Sequence, residues 1–322
     1  MTSPIVIVGG GFAGLYTALE LARRPGHPPL LLVEPRDRFV FLPFLYERLS
    51  GELPLWQMAP RYDALLAGHG IGWQRDRVTA VEPESCQVAL ESGQRLSYSQ
   101  LVIATGAKPD SFGIPGEEHA LRFHSLEDVE ALQAQLPAIR NRVAIVGAGP
   151  SGVELACKLA DLLRGQASVE LIERGERCLP QAKAFNRSQA ELALQQRDVR
   201  LRCQCGVQAV QSGQLTLQDA EGQSSSLAVD AVVWTAGQRT ALPSGALATD
   251  GAAACAAMPA CSWRVIRASS ASGIPQPSPM TPNFQPRPKW RFSRPSCWLA
   301  TCCWPVRTNR LRSSSGKISE KC

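Results

Sequence analysis

The sequence predicts an α/β protein made of two Rossmann-like dinucleotide-binding units. Three observations predict it. A strand, a glycine turn and a helix occur in that order twice, with the turns at Gly9 and Gly147, 138 residues apart. Each copy is followed by a second strand that ends in a glutamate, Glu34 or Glu173. Strands and helices then alternate through residues 1–250, which calls for parallel sheets with helices packed on them. A chain of 322 residues has room for two such domains.

The elements follow in order. Ile5-Val6-Ile7-Val8 is a short apolar run read as a buried strand, and a helix is expected from Phe12 to Arg23. Leu30–Val33 is the next strand. The segment from Arg38 to Trp56 is aromatic and reads as irregular. Short strands are expected at Arg77–Val81, Cys86–Leu90 and Leu101–Ala104. Pro109, Gly113, Pro115 and Gly116 mark a linker. Ser125-Leu126-Glu127-Asp128 resembles a capping box that opens a helix to Leu136. The pattern then restarts, with a strand at Arg142–Val146, a helix to Leu163 and a strand at Val169–Ile172.

The two fingerprints are Gly9-Gly10-Gly11-Phe12-Ala13-Gly14 and Gly147-Ala148-Gly149-Pro150-Ser151-Gly152. In this spacing the first glycine makes the tight turn out of the strand. The second admits a pyrophosphate close to the backbone, and the third lets helix and strand approach each other. The helix start then offers free N–H groups and the positive end of its dipole to phosphate. An acid about 20 residues on accepts from the adenosine ribose. Glu34 lies 20 residues after Gly14 and Glu173 lies 21 after Gly152. One such turn also serves as a plain connector; two complete units with their acids specify dinucleotide binding. Glu173 favours NADH because a carboxylate repels a 2′-phosphate, although Arg174 beside it would attract one, which keeps NADPH open.

Composition narrows the classes. Hydrophobic residues make up 44% and charged residues 19% of the chain, which is globular composition. The longest apolar runs, of about five to seven residues, are too short to span a bilayer. The start of the chain enters a strand directly and reads as lacking a signal peptide, so the expected compartment is the cytosol. Four scattered histidines predict no metal site. Eleven cysteines form no framework; Cys203-Gln204-Cys205 has the wrong spacing for a flavin-linked redox pair, and Cys86, Cys157 and Cys178 read as packing residues. Phe39, Phe41, Phe44, Tyr46 and Trp56 read as domain core ahead of a path for an apolar substrate.

The net charge of +6 conceals a break near Asp250. Residues 1–250 hold 23 Lys and Arg against 27 Asp and Glu, whereas residues 251–322 hold 11 against one, Glu320. Six of the eleven cysteines and four of the seven tryptophans fall in those last 72 residues. A basic arm for nucleic acid or membrane has part of this character. Such arms are seldom rich in Trp and Cys, and no nucleic-acid partner is expected.

Two fingerprints in one chain resemble the flavoproteins with paired dinucleotide-binding domains, the NAD(P)H domain inserted into the FAD domain; the resemblance implies residues 1–110 and 241–250 for the first, 111–240 for the second, and leaves 251–322 as a tail. Leu101-Val102-Ile103-Ala104-Thr105-Gly106 and Val232-Val233-Trp234-Thr235-Ala236-Gly237 look like the returning strands of their FAD and NAD domains. GGGFAGLYTALEL, RDRFVFLPFLYE and GAGPSGVELACKLADLL are similar to type II NAD(P)H:quinone oxidoreductases over residues 4–250, and nearest the cyanobacterial and chloroplast branch that reduces demethylphylloquinone. The resemblance implies FAD at Gly9, Gly10, Gly11, Phe12, Ala13, Gly14, Glu34, Arg36, Pro43, Val78, Thr105 and Gly106. It implies NADH at Gly147, Gly149, Pro150, Ser151, Gly152, Glu173, Ala236 and Gly237. Flavin would pass two electrons from nicotinamide to a lipid quinone, on the cytoplasmic face of a membrane. Glu154 is placed beside the flavin, with a solvated helix carboxylate as the other reading. A ferredoxin or disulfide reductase on the same fold, and a nucleotide-binding module with a cationic tail, are the alternatives.

The family closes with a GD-bearing strand and an AQxAxQ helix, neither of which is written here. Reading from the third base of each written codon, the pairs Arg264–Val265 to Gly273–Ile274 permit G-H-P-G-V-F-G-L-G-D. The pairs Pro286–Arg287 to Ser293–Arg294 permit T-A-Q-V-A-F-Q-Q. The expectation is a shifted reading frame from near Asp250, with an irregular tail and impaired flavin retention and membrane docking as its consequence.

Overall fold

The computed structural model describes residues 3–245 and the backbone of residues 264–267. Apart from that stretch, the tail lies outside the described residues, as does the segment that would carry T-A-Q-V-A-F-Q-Q.

Strand β1 (Ile5–Val8) leads into helix α1 (Phe12–Ala22) and strand β2 (Leu30–Val33). Helices α2 (Leu45–Leu49), α3 (Leu55–Met58) and α4 (Tyr62–Leu66) follow, then β3 (Ile71–Gln74). The aromatic segment expected to be irregular therefore contains a 3-10 turn at Leu42–Phe44 and two short helices. Pro43 and Pro54 open two of these turns, where a missing N–H costs nothing. An antiparallel meander, β4 (Val78–Glu82), β5 (Gln87–Leu90) and β6 (Arg95–Ser97), precedes β7 (Gln100–Ile103).

The second half repeats the plan. After β8 (Ala107–Pro109) and β9 (Leu121–Arg122) comes α5 (Leu126–Gln135). Ser125 and Asp128 close its capping box reciprocally, as the sequence predicts. Then come β10 (Arg142–Val146), α6 (Pro150–Leu162), β11 (Ser168–Ile172), α7 (Ala184–Gln195) and β12 (Arg200–Arg202). A second meander, β13 (Gly206–Gln211), β14 (Gln214–Gln218) and β15 (Ser224–Ala228), leads to β16 (Ala231–Trp234) and β17 (Gln238–Thr240).

Two five-stranded sheets result, ordered β18-β7-β1-β2-β3 and β12-β11-β10-β16-β9, where β18 is Arg264–Arg267. The second is parallel throughout; in the first only β18 runs antiparallel, on β7. In both, the strand carrying the glycine turn has its next strand on one side and its returning strand on the other. Strand order thus reverses at β1/β7 and at β10/β16. A reversal of this kind opens a crevice at the carboxyl ends of the strands.

Side-chain alternation builds two core layers on each sheet. Ile5 and Ile7 pack with Leu15 and Ala18 of α1, whereas Val6 and Val8 pack with Val81 and Val88 of the meander. Val143 and Ile145 face Leu155 and Leu159 of α6, while Ala144 and Val146 face Leu215 and Leu217. Because both faces are covered, β1 and β16 read as unbroken apolar runs rather than alternating ones. Each fully buried Ile, Leu or Val contributes about 1.5–3 kcal/mol of burial free energy. The chain re-enters the first half after β17, where Ser244 bonds Thr79 and Val81 of β4.

Candidate dinucleotide-binding site

The two fingerprints fold to nearly the same local structure. Gly9 and Gly147 take φ of +98° and +101°, a region that glycine enters without strain. A Cβ on Gly9 would lie 2.5 Å from the Ala104 carbonyl oxygen, and one on Gly147 would lie 2.8 Å from the Ala236 Cβ. A Cβ on Gly14 would run into the Gly9 carbonyl oxygen, and one on Gly152 into that of Gly147. The outer glycines of each motif are therefore demanded by packing.

The middle glycines differ. A Cβ on Gly11 or Gly149 meets nothing within 4 Å. No packing partner excludes a side chain there, so these positions keep a cradle clear for a ligand. Both residues cap their helices in extended backbone, without a side-chain cap and without an acid in the first turn. Phe12, Ala13 and Gly14, and likewise Ser151 and Gly152, thus begin helices whose first N–H groups lack the usual side-chain acceptor. Pro150 occupies the first helical position, where it loses no bond. This geometry fits a pyrophosphate at each helix start.

The two glutamates occupy matching places. Glu34 is buried and accepts from the Gly10 N–H at 2.7 Å. Glu173 accepts from the Ala148 N–H at 2.8 Å and the Gly175 N–H at 2.7 Å. In each motif the residue between the first two glycines anchors the acid. Arg36 adds a fork on Glu34, Nε to Oε1 at 2.7 Å and Nη2 to Oε2 at 3.1 Å. Burial pushes the Glu34 carboxyl up, but the Arg36 guanidinium and the N–H groups of Gly10 and Arg36 outweigh it and hold the group below its ordinary value. Arg174 turns to the ring of exposed Phe112, 6.0 Å from its centroid.

The structure brings most of the predicted residues together. Thr105 lies against Gly9, and Ala236 lies against Gly147. Gly237 packs under Phe112, and Gly106 accepts from the Ala241 N–H at 3.1 Å where the chain returns. Pro43 is exposed in its 3-10 turn. Val78 is buried with Val6, Val8 and Val33, so any contact it makes with a ligand runs through its backbone. Glu154 lies one turn into α6 and faces α2 rather than a glycine turn.

Phe39 belongs to the core as expected, but Phe44 is 38% and Trp56 70% exposed, because the short helices that carry them turn these rings outward. Tyr62 has no sequence signal of its own. It is fully buried, and its hydroxyl donates to the Gly10 carbonyl at 2.6 Å, fixing the first turn from beneath. Thr235 does the same for the second turn, its hydroxyl bonding the Val146 and Gly147 carbonyls at 2.9 and 3.1 Å. Only its place before Ala236-Gly237 marked it. Among the described residues no group of His, Cys, Asp and Glu is arranged to hold a metal ion.

The fold and the paired crevices define a protein with two Rossmann-like dinucleotide-binding units. Residues 3–255 match the family model described as pyridine nucleotide-disulphide oxidoreductase. The chain belongs to that family. It is 39% identical over 248 residues to a demethylphylloquinone reductase of Synechocystis, a match covering 72% of this chain and 61% of the relative. It is 35% identical to an alternative NAD(P)H-ubiquinone oxidoreductase of Arabidopsis thaliana, covering 75% and 54%. The match thus spans 61% and 54% of these relatives, less than two thirds of either. In fold it resembles NDH2 of Plasmodium falciparum in complex with NADH, with a TM-score of 0.68 at 22% identity, over 75% of this chain and 56% of that one.

Proposed function

We propose that this chain is an FAD-dependent NAD(P)H:quinone oxidoreductase, with a lipid quinone as acceptor and NADH as the preferred donor. The observation that carries the reading is the duplicated cradle, in which Gly11 and Gly149 face open space between glycines that packing demands. Two nucleotide sites in one chain suit a reaction that passes electrons between two dinucleotides. The 39% identity to a demethylphylloquinone reductase directs the acceptor towards a quinone.

In this reading residues 1–110 and 241–250 form the FAD domain and residues 111–240 the NAD(P)H domain. The flavin, when bound, takes hydride from nicotinamide and hands two electrons to the acceptor. The protein supplies binding and orientation. The α1 start, Gly11 to Gly14, holds the flavin pyrophosphate, and Glu34 with Arg36 closes on its ribose. The α6 start holds the NADH pyrophosphate, and Glu173 stands where a 2′-phosphate would lie. Glu154 is the ionisable side chain near the reacting rings. The expected station is the cytoplasmic face of a membrane; among the described residues no helix is long and apolar enough to cross one.

The test is to reconstitute the purified chain with FAD and follow NADH oxidation with a short-chain quinone, and separately with a ferredoxin. With FAD kept in excess, because the tail as written impairs its retention, slow quinone-dependent turnover is expected. Transfer to ferredoxin alone would move the protein to the ferredoxin-reductase branch.

A further inference from the structure

The linker that enters the second half makes a strained turn. The Ile114 N–H donates to the Ser111 carbonyl at 3.2 Å, and both residues between them, Phe112 and Gly113, take left-handed φ, +58° and +68°. Glycine accepts that backbone freely, whereas a bulky side chain is an outlier there. The turn is fixed from outside. The Asp110 carboxylate accepts from the Phe112 N–H at 3.0 Å, and the Trp234 indole N–H donates to the Asp110 carbonyl at 3.1 Å. Nothing in the turn itself asks for a ring. A ring held in a rare backbone conformation by its surroundings directs attention to what the ring touches.

It touches both flanks of the second crevice. A Cβ on Gly237, shortly past β16, would come 2.5 Å from the Phe112 Cζ, so the ring edge packs on that glycine. The Arg174 guanidinium lies 6.0 Å from the ring centroid. Arg174 follows Glu173 at the end of β11, and β10 with its Gly147 turn runs between β11 and β16. The pair therefore reaches from one flank of the Gly147 turn towards the other. Glu173 itself is committed to the Ala148 and Gly175 N–H groups. Two adjacent residues of opposite charge thus part: the carboxylate stays at the glycine turn and the guanidinium goes to the ring.

We propose that Phe112 is a specificity-determining residue for the nucleotide donor: its ring holds Arg174 in a cation–π contact and so withholds from a ribose 2′-phosphate the guanidinium next to Glu173. The proposal rests on the functional reading above, because it takes the second crevice as the NAD(P)H site. Against NADPH the site then acts twice. Glu173 repels the phosphate, and Phe112 competes for the cation that would pair with it. NADH, with a free 2′-hydroxyl, asks nothing of Arg174. Phe112 is 59% exposed, and a cation–π contact at an exposed site is strong enough to shift a binding equilibrium about two- to fivefold.

The experiment titrates the full chain with NADPH and with NADH and follows the fluorescence of the reduced nicotinamide, which requires neither acceptor nor turnover. Phe112→Leu removes the aromatic face. Phe112→Asn removes it as well, in a residue that enters left-handed backbone routinely, so the turn is kept. In both, the ratio of the Kd for NADPH to that for NADH should fall about two- to fivefold, through tighter NADPH binding. Phe112→Tyr keeps a π face and should hold the wild-type ratio. Adding Arg174→Gln to Phe112→Leu should abolish the gain. An unchanged ratio in both ringless variants, a Phe112→Tyr ratio that falls with theirs, or a gain that survives Arg174→Gln overturns the proposal. A wild-type chain that binds neither nucleotide overturns it together with the functional reading. One that binds NADH yet passes no electrons to quinone sinks the quinone reading alone and leaves the binding ratios standing.

Discussion

The backbone N–H of Ala148 donates to Glu173 at 2.8 Å, and Gly10 does the same for Glu34 at 2.7 Å. In each half the glycine turn and the acid 20-odd residues away are thus locked before any nucleotide arrives. In the function proposed above, the lock orients a carboxylate to accept from an adenosine ribose and to repel a 2′-phosphate.

That geometry predicts donor choice. Glu173→Gln keeps an acceptor for the Ala148 and Gly175 N–H groups while removing the charge. Selectivity for NADH over NADPH, read as a ratio of kcat/KM values, should fall about tenfold, the equivalent of about 1.4 kcal/mol. Arg174 is already at hand to meet the added phosphate. A ratio that does not change would place specificity elsewhere.

The glycines separate packing from binding. Gly14→Ala and Gly152→Ala drive a methyl into a carbonyl oxygen, so each should destabilise its half by about 1–3 kcal/mol or more. Gly11→Ala and Gly149→Ala meet nothing in the empty protein and should unfold at the wild-type temperature. They should fail in binding instead. Gly149→Ala should lose NADH affinity and keep flavin, and Gly11→Ala should do the reverse. Thermal melts beside flavin content and NADH titration decide it.

Much of this was legible in the sequence, and the reason is local. Gly14 and Gly152, the strand-ending glutamates and the capping box at Ser125 are each set by contacts within one supersecondary unit. The positions of Tyr62 and Thr235 were not, because their hydroxyls reach turns 52 and 88 residues away. Trp56 and Phe44 were misread for a related reason: an aromatic run looks like core until the short helices show which way each ring points. Phe41 and Tyr46 of the same run do pack against the core, as the sequence predicts.

Asp230 carries a pH-dependent share of stability. Its carboxylate accepts from the backbone N–H groups of Arg140, Asn141 and Arg142 at 2.8, 2.5 and 3.1 Å, ahead of β10. The Asn141 N–H first among them, these bonds hold its pKa at about 2, below the ordinary 3.8. A depressed carboxylate stabilises the fold above its unfolded value, and that contribution disappears as pH falls from 3.8 through about 2. Asp230→Asn should cost about 0.5–1.5 kcal/mol at neutral pH, at the modest end because the group is exposed to solvent. The difference from wild type should shrink towards zero by about pH 2 in urea melts.

The break at Asp250 makes the last prediction. We propose that the gene is read one frame away beyond this point. Residues 1–250 carry a net charge of −4 and the remainder +10, a reversal with no counterpart in the fold of the two halves. The backbone of Arg264–Arg267 pairs antiparallel with β7, and the same codons in the shifted frame begin the G-H-P-G-V-F-G-L-G-D run. Genomic DNA read on both strands across codons 240–275, compared with the transcript, should show one base gained or lost relative to the written frame. Restoring the shifted frame should then raise flavin retained through purification, because it returns the GD-bearing strand with which the resembled family closes. If the DNA confirms the written frame, the tail belongs to the protein as it stands and the frame argument fails; if the restored chain holds no more flavin, the GD strand has no part in retaining it.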